Sequence, residues 1–249
     1  MAHEYYAIDL PGKIAYKEQF NVSIRRITPI EQTYIISLAE KEQKSSSVYL
    51  NFIKQLIQID NPNVKFEDLY WFDVQYILYR IRFTTYAKYP IKLTFVCNSE
   101  DEEGNVCDNE IKQDLETGNL HIVTPDDLPN LSDKVILDNL GEVYIRNKKM
   151  KDDLAIEDFA KRNKIDISSS QVRLLLLDLC LISDGTTLDE LYKKAEEGII
   201  TASDIITIEK WFTDNIWGVK EEIMVKCPKC GKERSRAYVL ALEDFFSAF

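Results

Sequence analysis

The sequence predicts an α+β fold that is mostly helical and carries short antiparallel hairpins. Two observations lead to this prediction. Apolar residues recur at helical spacing before residue 90 and again after Lys148, whereas residues 91–147 divide into short segments typical of strands. A second strand-rich segment, residues 218–240, has the pattern of a hairpin with a tight turn at its tip. Apart from short strands at the N-terminus, the predicted strands are therefore concentrated in these two regions.

The N-terminal region is predicted to begin with strands and to continue into helices. Val22 and Ile24 alternate with polar residues, as in a half-buried strand. The segment Thr28–Glu31 then combines a capping threonine, a proline at the first helical position and a glutamate that completes a capping box. These residues predict a helix that runs to about Lys41, and a second helix is predicted around residues 48–56.

A strongly aromatic helix is predicted over about residues 67–86. Its apolar side chains lie nearly all round the helix, so we interpret them as core rather than as a partner-binding surface. The same helix carries Asp73 and Arg82, which are separated by about two and a half turns. They therefore point to roughly opposite faces, and each is predicted to have a structural role with a different neighbour.

The last hundred or so residues are predicted to form helices, then the second hairpin and a short terminal helix. The predicted helices cover residues 150–163, 169–183, 188–197 and 202–215. In the terminal segment the apolar stripe would consist of Leu242, Phe245, Phe246 and Phe249. Such a stripe must be buried, and we favour docking on the protein's own core over docking in a partner's groove.

Two cysteine pairs are the strongest chemical signal in the sequence. Cys227 and Cys230 are separated by two residues at a tight turn, a spacing that lets both thiolates face one metal ion. Cys97 ends one predicted strand and Cys107 precedes the next, so this pair also lies at a hairpin tip. Two hairpin tips with two thiolates each form the zinc-ribbon arrangement. We therefore predict one structural Zn²⁺ bound by Cys97, Cys107, Cys227 and Cys230, in a zinc-ribbon-like module.

Alternatives to this zinc site are a disulfide or four unrelated buried thiols. The loop between Cys97 and Cys107 is longer than the usual spacing of zinc ligands. The N-terminus does not resemble a signal peptide, so we expect a cytosolic protein whose thiols stay reduced, which favours a metal over a disulfide. Cys180 lies in an apolar run and is predicted to be a core residue.

The predicted organisation has four segments in one compact unit. Residues 1–90 hold the N-terminal strands and helices, 91–147 the cysteine hairpin and short strands, 148–217 the helical region, and 218–249 the second hairpin and terminal helix. The predicted zinc ion would be bound by residues 91–124 and residues 218–240 together, and would hold these two segments next to each other.

The net charge and the absence of known catalytic motifs restrict the functions that the sequence favours. The net charge of -11 repels phosphate backbones, which disfavours nucleic acid as a partner, and the longest apolar run is too short to span a membrane. The two histidines, His3 and His121, form no catalytic motif, and the sequence lacks a glycine-rich phosphate loop. The sequence therefore predicts a binding or assembly protein and not an enzyme, and it leaves homo-oligomerisation open.

One feature supports a different function. Basic residues cluster around the second cysteine pair, namely Lys226, Lys229, Lys232, Arg234 and Arg236. The alternative interpretation is a nucleic-acid-binding zinc-ribbon accessory protein. We favour charge balance around a thiolate site as the explanation of this cluster.

The order of several motifs resembles a known family. A Leu-Pro-Gly-Lys turn at 10–13 precedes VSIRRITPIEQ, the aromatic helix with Asp73 and Arg82 follows, and Trp217-Gly218 leads into VKCPKCG. This order, over nearly the whole chain, resembles the T4-type bacteriophage baseplate hub proteins and hub assembly chaperones. The sequence departs from the family at the first turn, where Leu-Pro-Ser-x-Gly is usual, and at the wide first cysteine pair.

The resemblance implies a specific role. It implies a non-enzymatic assembly factor, or chaperone, for the central hub of a contractile phage tail, with baseplate hub proteins as partners. Such a protein would act in the host cell cytoplasm during assembly. It would then either be absent from the finished particle or remain as a minor component of the virion baseplate.

Overall fold

Short antiparallel sheets alternate with helices along the chain. A computed structural model describes residues 3–40, 46–100, 102–128, 133–183, 185–240 and 245–246. The strands are β1 (Tyr5–Ile8), β2 (Val22–Arg25), β3 (Ile57–Ile59), β4 (Ile91–Val96), β5 (Glu110–Leu115), β6 (His121–Val123), β7 (Lys134–Leu137), β8 (Gly141–Tyr144), β9 (Gly218–Lys220), β10 (Glu222–Lys226) and β11 (Glu233–Ala237). The helices are α1 (Pro29–Glu40), α2 (Ser46–Gln55), α3 (Trp71–Thr85), α4 (Met150–Asn163), α5 (Ser170–Leu181), α6 (Leu188–Glu196) and α7 (Ala202–Asp214). These elements confirm the predicted α+β class.

All strand pairs in the described chain are antiparallel. The first sheet has the order β1-β2-β3, and the remaining strands form the pairs β4-β5, β6-β9, β7-β8 and β10-β11. In the first sheet Val22 lies opposite both Ile8 and Ile59. Strand β3 is not predicted from the sequence, because three residues are too few for a periodicity signal and the strand is defined by its pairing with β2.

The aromatic helix α3 begins four residues later than the sequence predicts. Residues 66–68 form a 3₁₀ turn, and Tyr70 is extended and pairs with Lys149. The Trp71 amide donates to the Lys148 carbonyl at 2.9 Å, and the Met150 amide donates to the Leu69 carbonyl at 3.0 Å. These long-range hydrogen bonds hold the backbone extended where helical periodicity alone predicted the first turn of a helix.

The interior forms two main hydrophobic cores. The first core joins the N-terminal sheet, α3, β4, β5 and β10, and it includes the fully buried Ile24, Leu56, Ile77 and Leu115. The second core lies among β7, β8 and α4 to α7, where its two clusters share the partly buried Leu177, Leu188 and Tyr192. Among the described residues between β6 and β9, only Met150 at the start of α4 belongs to the first core, and the chain returns to that core at β9. The division into four sequence segments stays a prediction.

An aromatic cluster connects β9 to the start of α3. The ring of Trp217 lies edge-on to Tyr70 and Phe72, with centroids 5.1 and 5.4 Å apart. Gly218 follows with φ +96°, and a Cβ at this position would lie 3.1 Å from the Phe72 carbonyl oxygen. Glycine therefore permits both the left-handed backbone and the close approach to α3.

Asp73 and Arg82 have different neighbours, as the helical spacing predicts. Asp73 is fully buried, and it accepts hydrogen bonds from the Gly12 amide at 2.8 Å and the Tyr16 hydroxyl at 2.7 Å. Arg82 donates to the Tyr89 carbonyl at 3.0 Å. No salt bridge to Asp73 is formed among the described residues, so its charge is not paired, and burial raises its pKa to about 6.

The two terminal phenylalanines that the structure describes pack on the protein's own first core. Phe245 and Phe246 are buried, and the ring of Phe246 lies edge-on to Phe52 at 5.7 Å. Gln32 Nε2 and the Tyr86 hydroxyl donate to the Phe246 carbonyl at 3.0 and 3.1 Å. The predicted stripe residues Leu242 and Phe249 lie outside the described residues.

Candidate metal centre

The first cysteine hairpin closes tightly despite its long loop. After the last β4-β5 register pair, Val96 and Glu110, the Cys97 amide donates to the Asn109 carbonyl and the Asp108 amide donates to the Cys97 carbonyl, both at 2.9 Å. The Cys107 amide donates to the Ser99 carbonyl at 2.8 Å. These hydrogen bonds bring Cys97 and Cys107 to the same hairpin tip. The long loop therefore does not prevent the two thiols from binding one metal ion.

The second hairpin places its two cysteines in a compact turn. The Cys227 amide donates to the Lys232 carbonyl at 3.0 Å, and the Gly231 amide donates to the Cys227 carbonyl at 2.9 Å. Gly231 has φ +71°, a conformation that strongly favours glycine. The turn therefore explains why glycine directly follows Cys230.

The two hairpin tips meet, and all four sulfur atoms lie within 4.8 Å of one another. The distance from Cys97 Sγ to Cys230 Sγ is 3.7 Å, and that from Cys107 Sγ to Cys227 Sγ is 3.8 Å. A tetrahedral ion with metal–sulfur bonds of about 2.3 Å requires sulfur atoms about 3.8 Å apart. A disulfide would require about 2.05 Å, so the observed spacing fits a metal centre and not two disulfides.

Local hydrogen bonds favour thiolate at two of the four cysteines. Hydrogen bonds from Ser99 lower the pKa of Cys97 to about 6, and the amides of Cys230 and Lys229 lower the pKa of Cys227. Burial instead raises the pKa of Cys107 to about 11. The cluster thus combines two thiols whose pKa is lowered with one whose pKa is raised. This donor set could hold a metal ion.

Three of the five clustered basic residues contact the opposite hairpin. Lys229 Nζ donates to the Cys107 carbonyl at 3.2 Å, and Lys232 Nζ donates to the Glu100 carbonyl. Arg236 donates to the Val96 carbonyl at 3.3 Å and to the Asn98 side chain. These contacts clamp the two hairpins together. These three basic residues therefore have a structural role, in addition to lying close to the thiols.

The other candidate residues lie apart from this centre. Cys180 is buried in the second core, and this burial raises its pKa to about 12. His121 Nδ1 lies 3.2 Å from Glu222 Oε1 on the surface. Within the described ranges, the four-cysteine group is the one cluster of three or more Cys, His, Asp or Glu side chains close enough to share a metal.

The fold and this centre define a class of protein: an α+β protein in which two hairpins converge on a zinc-ribbon-like four-cysteine cluster. A comparison with family models then assigns the family. The model described as T4 bacteriophage base plate protein matches residues 13–247, nearly the whole chain, and the chain belongs to this family. No curated protein and no solved structure matches the chain. Among the described helices, none is long and apolar enough to cross a membrane.

Proposed function

We propose that this protein is a non-enzymatic assembly factor for the central hub of a contractile phage tail baseplate. The observation that carries the proposal is the match to the baseplate family over residues 13–247. Because the match covers both cores, the family relationship concerns the whole fold and not one module. The partners in this proposal are other baseplate proteins, with those of the hub foremost.

The metal centre has a structural role in this proposal. Four thiolates are the donor set that Zn²⁺ takes in closed structural sites, and such a site leaves no coordination position for a reacting water. Cys97, Cys107, Cys227 and Cys230 would hold the ion. Bound zinc would neutralise thiolate charge and fix β4-β5 against β10-β11, two hairpins that are more than a hundred residues apart in sequence.

The proposed place of action is the host cytoplasm during assembly, and no catalytic step is part of the proposal. The question of whether the protein stays in the particle has a direct test. A phage with a nonsense mutation in this gene should fail to complete baseplates, and the wild-type chain supplied from a plasmid should restore them. Mass spectrometry of purified particles then distinguishes the two roles, because a chaperone is absent and a minor component is present.

An affinity-tagged chain purified from infected cells tests the partner. Recovery of hub proteins with the wild-type chain supports the proposal, and infection that proceeds normally without the gene would overturn it. The alternative, a nucleic-acid-binding zinc ribbon, predicts salt-dependent binding to duplex DNA. We expect none, because Lys229, Lys232 and Arg236 already contact the neighbouring hairpin.

A further inference from the structure

The two hairpin tips that carry the cysteines repeat one backbone pattern. In each tip the amide of the first cysteine donates across the hairpin, at 2.9 or 3.0 Å, and the amide that follows the second cysteine donates back to the first cysteine's carbonyl at 2.9 Å. The residue that supplies this second amide is Asp108 in the first hairpin and Gly231 in the second, and both have positive φ, +50° and +71°. The first tip is therefore built like the second, with a longer loop inserted between its cysteines.

The short tip shows how this pattern holds its first cysteine. The amides of Cys230 and Lys229 both donate to the Cys227 sulfur. In the long tip the amide of the second cysteine has a different acceptor, because the Cys107 amide donates to the Ser99 carbonyl at 2.8 Å. The inserted loop thus leaves the first cysteine of this pair without one of the two amide donors that the short tip provides.

Ser99 brings two donors to this place. Its hydroxyl and its amide are both directed at the Cys97 sulfur and favour the charged thiolate. Ser99 is 2% exposed, and no oxygen or nitrogen atom of the described residues accepts a hydrogen bond from its buried hydroxyl. An unpaired buried donor costs free energy, and a hydroxyl hydrogen rotates to suit its acceptor. A negatively charged sulfur at Cys97 is therefore the partner that this hydroxyl fits.

We propose that Ser99 is a positioning residue of the metal centre, whose hydroxyl donates to the Cys97 thiolate and replaces the amide donor that the inserted loop removes. The proposal rests on the metal centre of the proposed function. A hydrogen bond to a ligating atom fixes the orientation of that atom and tunes its electron donation to the metal, although the donor itself does not touch the ion. Ser99 thereby lets the first cysteine pair bind a metal in spite of its wide spacing.

The test measures Co²⁺ and Zn²⁺ binding to the full chain. Competition with a chromophoric chelator gives the Zn²⁺ affinity, and the absorption of the Co²⁺-loaded protein reports on the sulfur ligands. Ser99→Ala should lower the Zn²⁺ affinity about ten- to a hundredfold. It should also move the sulfur-to-cobalt charge-transfer band to lower energy, because loss of the hydrogen bond raises the energy of the sulfur electrons.

Two matched comparisons separate the hydrogen bond from packing. Ser99→Thr keeps the hydroxyl and Ser99→Val has the same shape without it, so the threonine variant should have the wild-type band and the valine variant the shifted one. Ser235→Ala removes an exposed hydroxyl on β11 that donates to Glu222 at 3.1 Å, and it should leave both metal affinity and band unchanged. Circular dichroism melts verify that each variant is folded, and Ser99→Ala decides the question if the two larger side chains do not fit.

Each outcome supports or overturns the role of Ser99. Wild-type affinity and an unshifted band in Ser99→Ala would overturn it. A lower affinity with an unshifted band would show that the side chain only supports the loop, and would also overturn it while leaving the metal centre standing. If the wild-type chain binds neither Co²⁺ nor Zn²⁺, the metal centre and the role of Ser99 both fail, whereas co-purification of hub proteins tests the assembly role independently.

Discussion

The Gly12 amide donates to Asp73 Oδ1 at 2.8 Å, and a Cβ on Gly12 would lie only 2.6 Å from Asp73 Oδ2. The same Cβ would lie 2.5 Å from Trp217 Nε1. Gly12 has φ -85°, so its backbone suits any residue, and the requirement for glycine comes from space alone. The N-terminal turn is thus held against α3 by a contact that only a residue without a side chain can make.

Gly12→Ala should destabilise the protein by about 1–3 kcal/mol, because the added methyl group must displace Asp73 or Trp217 from a packed interior. Urea unfolding measures the change. Gly118→Ala is the matched control, since nothing lies within 4 Å of a Cβ at that position, and it should change stability by less than about 0.5 kcal/mol. Equal effects of the two substitutions would contradict the packing argument.

Asp73→Asn should change how stability depends on pH. The pKa of Asp73 is about 6 in the folded protein, against an ordinary value of 3.8, so between these values the folded state binds a proton that the unfolded state does not. Wild-type stability should therefore fall as pH rises from about 4 to about 6, by up to about 3 kcal/mol from this group. Asn does not titrate, so the free-energy difference between wild type and variant should be larger at pH 4 than at pH 7. A constant difference would refute the raised pKa.

Asp178→Asn should stabilise the protein at pH 8. Asp178 is 6% exposed on α5, its Oδ2 has no hydrogen-bond partner among the described residues, and burial together with Glu209 raises its pKa to about 7. Ionisation of this group therefore costs stability as pH rises from about 4 to about 7, and Asn removes that cost. The expected gain is about 1–3 kcal/mol at pH 8 and should vanish near pH 4. Thermal melts at the two pH values measure it, and a loss of stability at pH 8 would rule it out.

Cys227→Ser should abolish metal binding. Protein purified without added zinc should contain about one zinc per chain, and the variant should contain little and melt at lower temperature, because metal binding and folding are coupled. Cys180→Ser is the control, since Cys180 packs in a different cluster, and its metal content should equal that of the wild type. A metal-free, fully folded wild type with four titratable thiols would disprove the site.

Phe246→Ala should destabilise the isolated protein by about 3–5 kcal/mol, because a 2% exposed ring is removed from the first core. Val239→Ala, at an 87% exposed position, should have little effect. Calorimetry of the purified protein measures both. An unchanged melting temperature, combined with loss of hub co-purification, would instead assign this phenylalanine to a partner interface.

The sequence by itself determined the helices after Lys148. The predicted starts of α4, α6 and α7 agree with the structure, because local signals specify them: the Thr201 hydroxyl accepts from the Asp204 amide, and Thr187 and Glu190 form the same capping box. The spacing of Cys227 and Cys230 is also local, since two residues between them at a tight turn bring both sulfurs to one side. These features need no knowledge of the rest of the chain.

Only the tertiary structure decided the features that depend on residues far apart in sequence. The start of α3 is set by Tyr70 pairing with Lys149, and β3 exists because β2 lies beside it. The approach of Cys97 to Cys230 at 3.7 Å depends on two hairpins separated by the whole second core. Local propensity cannot encode such contacts, because each one forms only when packing elsewhere repays the entropy of closing a long loop.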